Sequence, residues 1–215
     1  MTWEPSFVAR VVGYLGAAAL AIGGVEGKRP RLTAVFKPLT TIVLFTMVGV
    51  PETTFQWIVE LGFLLSLVGD VALLWNGDTA FKIGLVGFLL AHVSYVIAFI
   101  SVGAWSWHVA PVGVLFAAST SWLLKTLWPG AGAVRIPVAV YGLAITAMVT
   151  SASATLGGTL AWPLPAFSGA VLFYISDSSL SLDKFHKPIP HASLLTMGVY
   201  WLGQLGIALA ARGSL

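Results

Sequence analysis

Five ionisable side chains stand inside otherwise apolar stretches of this 215-residue chain: Lys37, Glu60, Asp70, His92 and Asp177. Two carboxyl groups with a base and an imidazole are the parts of acid–base chemistry. One acid gives a proton, and a second carboxylate steadies positive charge or draws a proton from water. Other chemistries lack their parts. The chain has no cysteine, which removes disulfides, thiolate metal sites and a thiol nucleophile. It holds no Gly-x-Ser-x-Gly turn to present a serine nucleophile, and no glycine-rich phosphate loop. His92, His108, His186 and His191 form no His-x-x-x-His or His-x-x-Glu pair, so neither a metal nor another cofactor is expected.

The elements that must position these groups are helices in a bilayer. Hydrophobic residues make up 58% of the chain and charged residues only 9%, against about 25% charged in soluble domains. Mean hydropathy is +0.92. That composition excludes a water-soluble globule, a disordered segment, a coiled coil and a nucleic-acid-binding domain. The net charge of +3 reads as membrane orientation rather than as a basic patch.

A crossing needs roughly 20 apolar residues. Eight stretches qualify, near 6–25, 32–50, 55–75, 80–103, 108–128, 132–152, 164–182 and 191–211. The expected fold is all-α, a single polytopic domain over residues 1–215 with eight transmembrane helices. The first stretch lacks a basic leader and a small-residue cleavage site, so it reads as a retained helix.

Eight crossings put both termini on one side. The turns after crossings 1, 3, 5 and 7 hold Lys28, Arg29, Arg31, Lys82, Lys125, Arg135, Lys184 and Lys187, and the other side holds Arg10 and Arg212. Excess basic residues mark the cytoplasmic side. Both termini are therefore expected on the non-cytoplasmic side of a bacterial inner membrane. Trp57, Trp75, Trp105, Trp107, Trp128 and Trp162 fall near the ends of crossings, as an aromatic belt requires. No long Gly-x-x-x-Gly face stands out, so a monomer is expected.

Charge in hydrocarbon is costly and marks function by default. Lys37 lies five residues inside the second predicted crossing, Asp70 five before the end of the third, and Asp177 five before the end of the seventh. At 1.5 Å per residue, all three sit about 7–8 Å below the same surface. Taken singly, Lys37 is explained by snorkelling, each aspartate by a tie to a neighbouring base, and His92 by packing near the midplane. Glu60, about one turn inside the opposite interface, reads as structural. Three charges at one depth on three helices are harder to explain singly.

Ser66 precedes Asp70 by one turn, Tyr174 precedes Asp177 by three residues and Ser181 follows it by one turn, all at same-face spacing. Gly69 and Ser176 directly precede the two acids and admit a close neighbour. A weak internal repeat is visible: Gly69-Asp70, Phe81 and Tyr95 are echoed by Ser176-Asp177, Phe185 and Tyr200, and Lys37-Pro38 by Arg135-Ile136-Pro137. Crossings 1–4 and 5–8 then read as parallel copies in a 4+4 pseudo-repeat.

An ordered set of short motifs resembles a known family. It runs Phe36-Lys37-Pro38-Leu39-Thr40-Thr41, Gly69-Asp70-Val71-Ala72-Leu73-Leu74, Phe81-Lys82-Ile83-Gly84-Leu85 and Phe88-Leu89-Leu90-Ala91-His92-Val93-Ser94-Tyr95. It continues with Ile175-Ser176-Asp177-Ser178-Ser179-Leu180, Asp183-Lys184-Phe185, Tyr200 and Gln204. Together these resemble the YhhN/TMEM86 lysoplasmalogenase family of membrane proteins. The resemblance implies a hydrolase that opens the vinyl ether bond of 1-alkenyl lysophospholipids, releasing a fatty aldehyde and a glycerophospho-ethanolamine or -choline. Asp70 and Asp177 correspond to the family's two acids, Lys37 to its base and His92 to its histidine. With Ser66, Tyr95, Tyr174 and Ser176, Lys37 and His92 make up the expected substrate-binding set.

The implied partners are a lysophospholipid and membrane lipids, with no nucleic acid. The head group is expected at a basic rim drawn from Lys82, Arg135, Lys184 and Lys187. The buried acids also suit a different intramembrane lipid hydrolase, or a proton-coupled transporter. A purely structural protein would leave the three charges unexplained.

Overall fold

A computed structural model describes residues 4–213 of the chain. Eight α-helices account for most of it, and no strand occurs among the described residues. They are α1 (Pro5–Glu26), α2 (Pro30–Val48), α3 (Thr54–Ala72), α4 (Asp78–Val102), α5 (Val109–Leu127), α6 (Arg135–Ala154), α7 (Pro163–Phe185) and α8 (Ala192–Arg212). Short 3-10 turns at Gly132–Val134 and Thr155–Gly157 flank α6. In hydrocarbon every backbone group must find a partner inside its own segment, and the helix is the solution open to a chain of this composition. Each of the eight expected crossings is a helix, and the chain is an all-α polytopic membrane protein. Seven are long and apolar enough to cross a membrane. α7 is the exception, because its second half carries Ser176-Asp177-Ser178-Ser179, Ser181 and Asp183-Lys184.

Local sequence sets the helix starts. Proline opens α1, α2 and α7, where its missing N–H costs nothing. Thr53 and Gln56 form a reciprocal capping box at the start of α3. The helix ends depart from the predicted ones. α2 begins at Pro30, α3 stops at Ala72 and α7 runs on to Phe185. Lys37 is thus seven residues into α2, Asp70 two residues before the end of α3, and Asp177 eight before the end of α7. Helix ends are set by caps and turns, so they do not mark one common level.

Successive helices pair as hairpins, and the most extensive contacts are α7 with α8 and α3 with α4. α8 also packs on α1, α2 and α3, while α4 packs on α6. α5 lies outermost, touching only α6 and α7 among the helices. Tyr14, Phe63, Tyr95, Phe99, Phe173 and Trp201 fill the centre. Two crossings depend on glycine. A Cβ at Gly87 would lie 2.9 Å from the Gly69 nitrogen, and one at Gly69 would meet the Phe88 ring at 2.7 Å. A Cβ at Gly169 would lie 2.6 Å from the Gly203 carbonyl. The backbones of α3 and α4 therefore touch beside Asp70, and those of α7 and α8 touch two turns before Asp177.

Candidate active site

Asp70 sits in the last turn of α3, fully buried. Its Oδ2 accepts hydrogen bonds from the Thr41 hydroxyl at 2.9 Å and the Tyr200 hydroxyl at 2.8 Å. Its Oδ1 lies 3.6 Å from the Lys37 ammonium. Lys37 and Thr41 occupy one face of α2, one turn apart. A buried carboxylate is tolerated only when charge and hydrogen bonds replace its water, and here a cation and two donors do so. Behind Tyr200 the network continues: Gln204 Nε2 donates to the Tyr200 oxygen at 3.1 Å, and the Tyr95 hydroxyl donates to Gln204 Oε1 at 2.8 Å.

Asp177, in the second half of α7, is held differently. Its Oδ2 accepts the Tyr141 hydroxyl of α6 at 2.5 Å and stands 3.5 Å from Nε2 of His92 on α4. Its Oδ1 has no hydrogen-bond partner among the described residues, and the side chain is 14% exposed against 1% for Asp70. The His92 ring is fully buried between Tyr141 and Phe173, with centroids at 5.0 and 4.7 Å.

Both acids line one cavity of about 410 Å³, together with Lys37, Ser176, Lys184 and Tyr200. Asp177 also lines a second, narrow groove between α4, α5, α6 and α7, walled by Leu85, Leu123, Leu124, Leu127, Val138 and Ile145. Phe81 and Phe88 belong to both. Asp177 therefore stands where a polar cavity meets an apolar groove.

The remaining predicted residues fall in three places. Ser176 lines the acid cavity, but its hydroxyl donates to the Thr196 carbonyl at 2.8 Å and ties α7 to α8. Tyr174 lines the apolar groove and bonds Ser119 and Thr120 of α5, each at 3.0 Å, instead of turning to Asp177. Ser66, Tyr95 and His92 are buried and lie outside the lining of both cavities. Ser181 lines the groove. Of the expected basic rim, only Lys184 lines the acid cavity, and its ammonium rests 4.1 Å over the Phe81 ring. Arg135 is engaged elsewhere, donating to the Trp128 carbonyl at 2.8 Å.

Sequence reasoning gave no site role to Thr41, Tyr200 or Tyr141, although Thr41 and Tyr200 belong to the quoted motifs. Thr41 had a signal, since it follows Lys37 by one helical turn. Tyr141 had none, because a tyrosine in an apolar run reads as packing. No group of three or more His, Asp or Glu among the described residues is arranged to hold a metal ion.

A helical membrane protein with Asp70 and Asp177 on one cavity, beside an Asp183 tied to the Ile189 N–H, is the class that fold and site define. The chain belongs to the YhhN family, whose model matches residues 32–211. It is 32% identical over 186 residues to the protein named lysoplasmalogenase TMEM86B of Rattus norvegicus, covering 83% of this chain and 71% of that protein. The Homo sapiens protein of the same name is 33% identical over 185 residues, 82% of this chain and 73% of the relative. A protein named lysoplasmalogenase from Mycobacterium bovis is 34% identical over 154 residues, 68% of this chain and 55% of the relative. No solved structure matches.

Proposed function

We propose that the protein is an intramembrane lysoplasmalogenase that hydrolyses the vinyl ether of a 1-alkenyl lysophospholipid. One observation carries this reading: Asp177 stands at the junction of a cavity shared with Asp70 and a groove walled by leucine, valine and isoleucine side chains. The names of the relatives support the same substrate.

A vinyl ether opens by protonation at its β-carbon. Asp177 is the proton donor, since it has an unengaged oxygen and reaches both cavities. The proton makes the new C–H bond, and the alkene electrons leave an oxocarbenium ion between the former vinyl carbon and the ether oxygen. Asp70, fixed against Lys37, Thr41 and Tyr200, supplies negative charge beside that cation. Water adds to the carbon and gives up a proton to the Asp177 carboxylate. The resulting hemiacetal collapses to the aldehyde and the glycerol hydroxyl, with the proton passing to the departing oxygen. The sum is one water consumed and one C–O bond broken. Tyr141 holds the Asp177 carboxyl in place through its hydrogen bond, with the His92 ring beside it.

Detergent-purified protein incubated with a 1-alkenyl lysophospholipid should release free fatty aldehyde. No aldehyde from folded protein, with either choline or ethanolamine head groups, would overturn the reading.

The same reading makes the protein a monomer, since one chain supplies both acids and both cavities. The excess of Lys and Arg around the turns after α1, α3, α5 and α7 supports placing those turns on the cytoplasmic side of a bacterial inner membrane, with both termini opposite. The chain lacks cysteine, so single cysteines report cleanly. Lys125→Cys should be labelled by an impermeant maleimide only in inside-out vesicles, and Trp107→Cys, at a position 85% exposed, only in right-side-out ones. The reverse pattern would invert the topology.

A further inference from the structure

A third cavity, of about 540 Å³, opens between the α1–α2 turn and the end of α3. It shares Val25, Lys37, Leu73, Trp75 and Met197 with the acid cavity, so the two adjoin along that wall. Lys28 and Arg29 complete a lining with three basic side chains and no acid. Neighbouring carboxylates are already engaged. Glu26 is met by His191 Nδ1 at 3.0 Å, and Asp70 by Lys37. Lys28 and Arg29 make no ion pair among the described residues. The turn that carries them is tightly bonded, with Lys28 N–H donating to the Val25 carbonyl at 3.1 Å and Arg29 N–H to the Gly24 carbonyl at 2.7 Å. Lys28 holds φ +52°, a conformation that favours glycine. A lysine stands where glycine would be the easier residue.

We infer that this cavity binds the phosphate of the substrate, with Lys28 and Arg29 as its contacts and Lys37 between the phosphate and Asp70. The inference rests on the lysoplasmalogenase reading and deepens it. Around the fold the cavities run basic, acidic, apolar. A 1-alkenyl lysophospholipid runs phosphate, glycerol with vinyl ether, and chain, so each segment meets the environment that suits it. Arginine and lysine together match phosphate geometry and charge. The head group thus belongs at the α1–α2 turn, away from Lys82, Arg135 and Lys187, which line none of the three cavities.

The test compares wild type with Lys28→Gly and Arg29→Ala, using Lys125→Ala as control. KM for the 1-alkenyl lysophospholipid should rise about tenfold for each variant, the loss of one charge-assisted contact. The value of kcat should hold. Lys28→Gly should melt no lower than wild type, because glycine accepts the left-handed turn. A 1-alkenylglycerol, which has no phosphate, should show the same KM with all four proteins. Competition by free glycerol 3-phosphate in wild type, lost in the variants, would extend the site to phosphate esters from solution. Its absence, with the KM effect kept, would assign the site to lipid-borne phosphate alone. Unchanged KM in both variants, or an equal loss on the phosphate-free substrate, overturns the inference.

A separate measurement keeps it independent of turnover. Equilibrium binding of a saturated 1-alkyl lysophospholipid, which cannot be cleaved, should weaken in both variants. If wild type releases no aldehyde but this binding difference persists, the reaction falls and the phosphate site stands. Equal binding by all the proteins removes the site.

Discussion

The two acids are held by matching parts of the fold and in opposite ways. Asp70 on α3 is met from α2 by Lys37 and Thr41 and from α8 by Tyr200. Asp177 on α7 is met from α6 by Tyr141 and from α4 by His92. With helices 1–4 set against 5–8, α2 answers to α6, α3 to α7 and α4 to α8. Each acid then takes one partner helix from its own half and one from the other. The chemistry differs. Asp70 has a cation, two hydroxyl donors and no exposure, so every lone pair that matters is committed. Asp177 has no lysine or arginine partner, keeps one oxygen uncommitted and opens to two cavities. One carboxyl group is fully engaged, and the other keeps an oxygen free.

That contrast can be broken experimentally. The largest effect should come from Asp177→Asn, which keeps the shape and removes the transferable proton. Aldehyde release should fall by about 10²–10⁴-fold, with the melting temperature nearly unchanged. Retained activity would end the assignment of roles.

On the other side the larger effect should be on stability. Lys37→Met strands the buried Asp70 carboxylate, a change that costs about 3–5 kcal/mol. Adding Asp70→Asn should restore most of the lost thermal stability and no activity. A double variant no more stable than Lys37→Met would mean that the pair is not the support described. The smallest effect should come from Tyr141→Phe. It removes the short hydrogen bond to Asp177, a contact of about 1.5–3 kcal/mol. If the tyrosine positions the acid, kcat should fall about 10–100-fold while KM stays within about twofold. A change confined to KM would move Tyr141 from positioning the acid to binding the substrate.

The sequence showed the charged trio because charge inside an apolar run is costly enough to need a reason. Lys37 and Asp70 do meet, and Asp177 opens onto the same cavity. Equal depth was a weaker warrant than this outcome suggests. Depth was counted from helix ends, and α3 ends two residues after Asp70 while α7 continues eight past Asp177. Side-chain reach and helix tilt bring the groups together, and neither is written in hydropathy. Tyr174 shows the other limit. Spacing put it on the Asp177 face, yet a helix face is broad, and the hydroxyls of Ser119 and Thr120 drew it toward α5. The excess of basic residues on one side points the head group to Lys82, Arg135, Lys184 and Lys187, and of these only Lys184 lines the acid cavity. Lys28 and Arg29 line the adjoining cavity, where α1, α2 and α3 converge.

The place of Asp177 between a polar cavity and an apolar groove bears on the fate of the two products. The proposed reaction cuts an amphiphile into a fragment that prefers water and a fragment that prefers oil. At such a border each fragment already lies in the medium that will receive it. In the proposed reaction the glycerophosphate portion would leave on the side of Lys37 and the basic turn, and the aldehyde on the side of the apolar groove. Neither product blocks the other's way out, and the partition of the two halves helps make the cut irreversible.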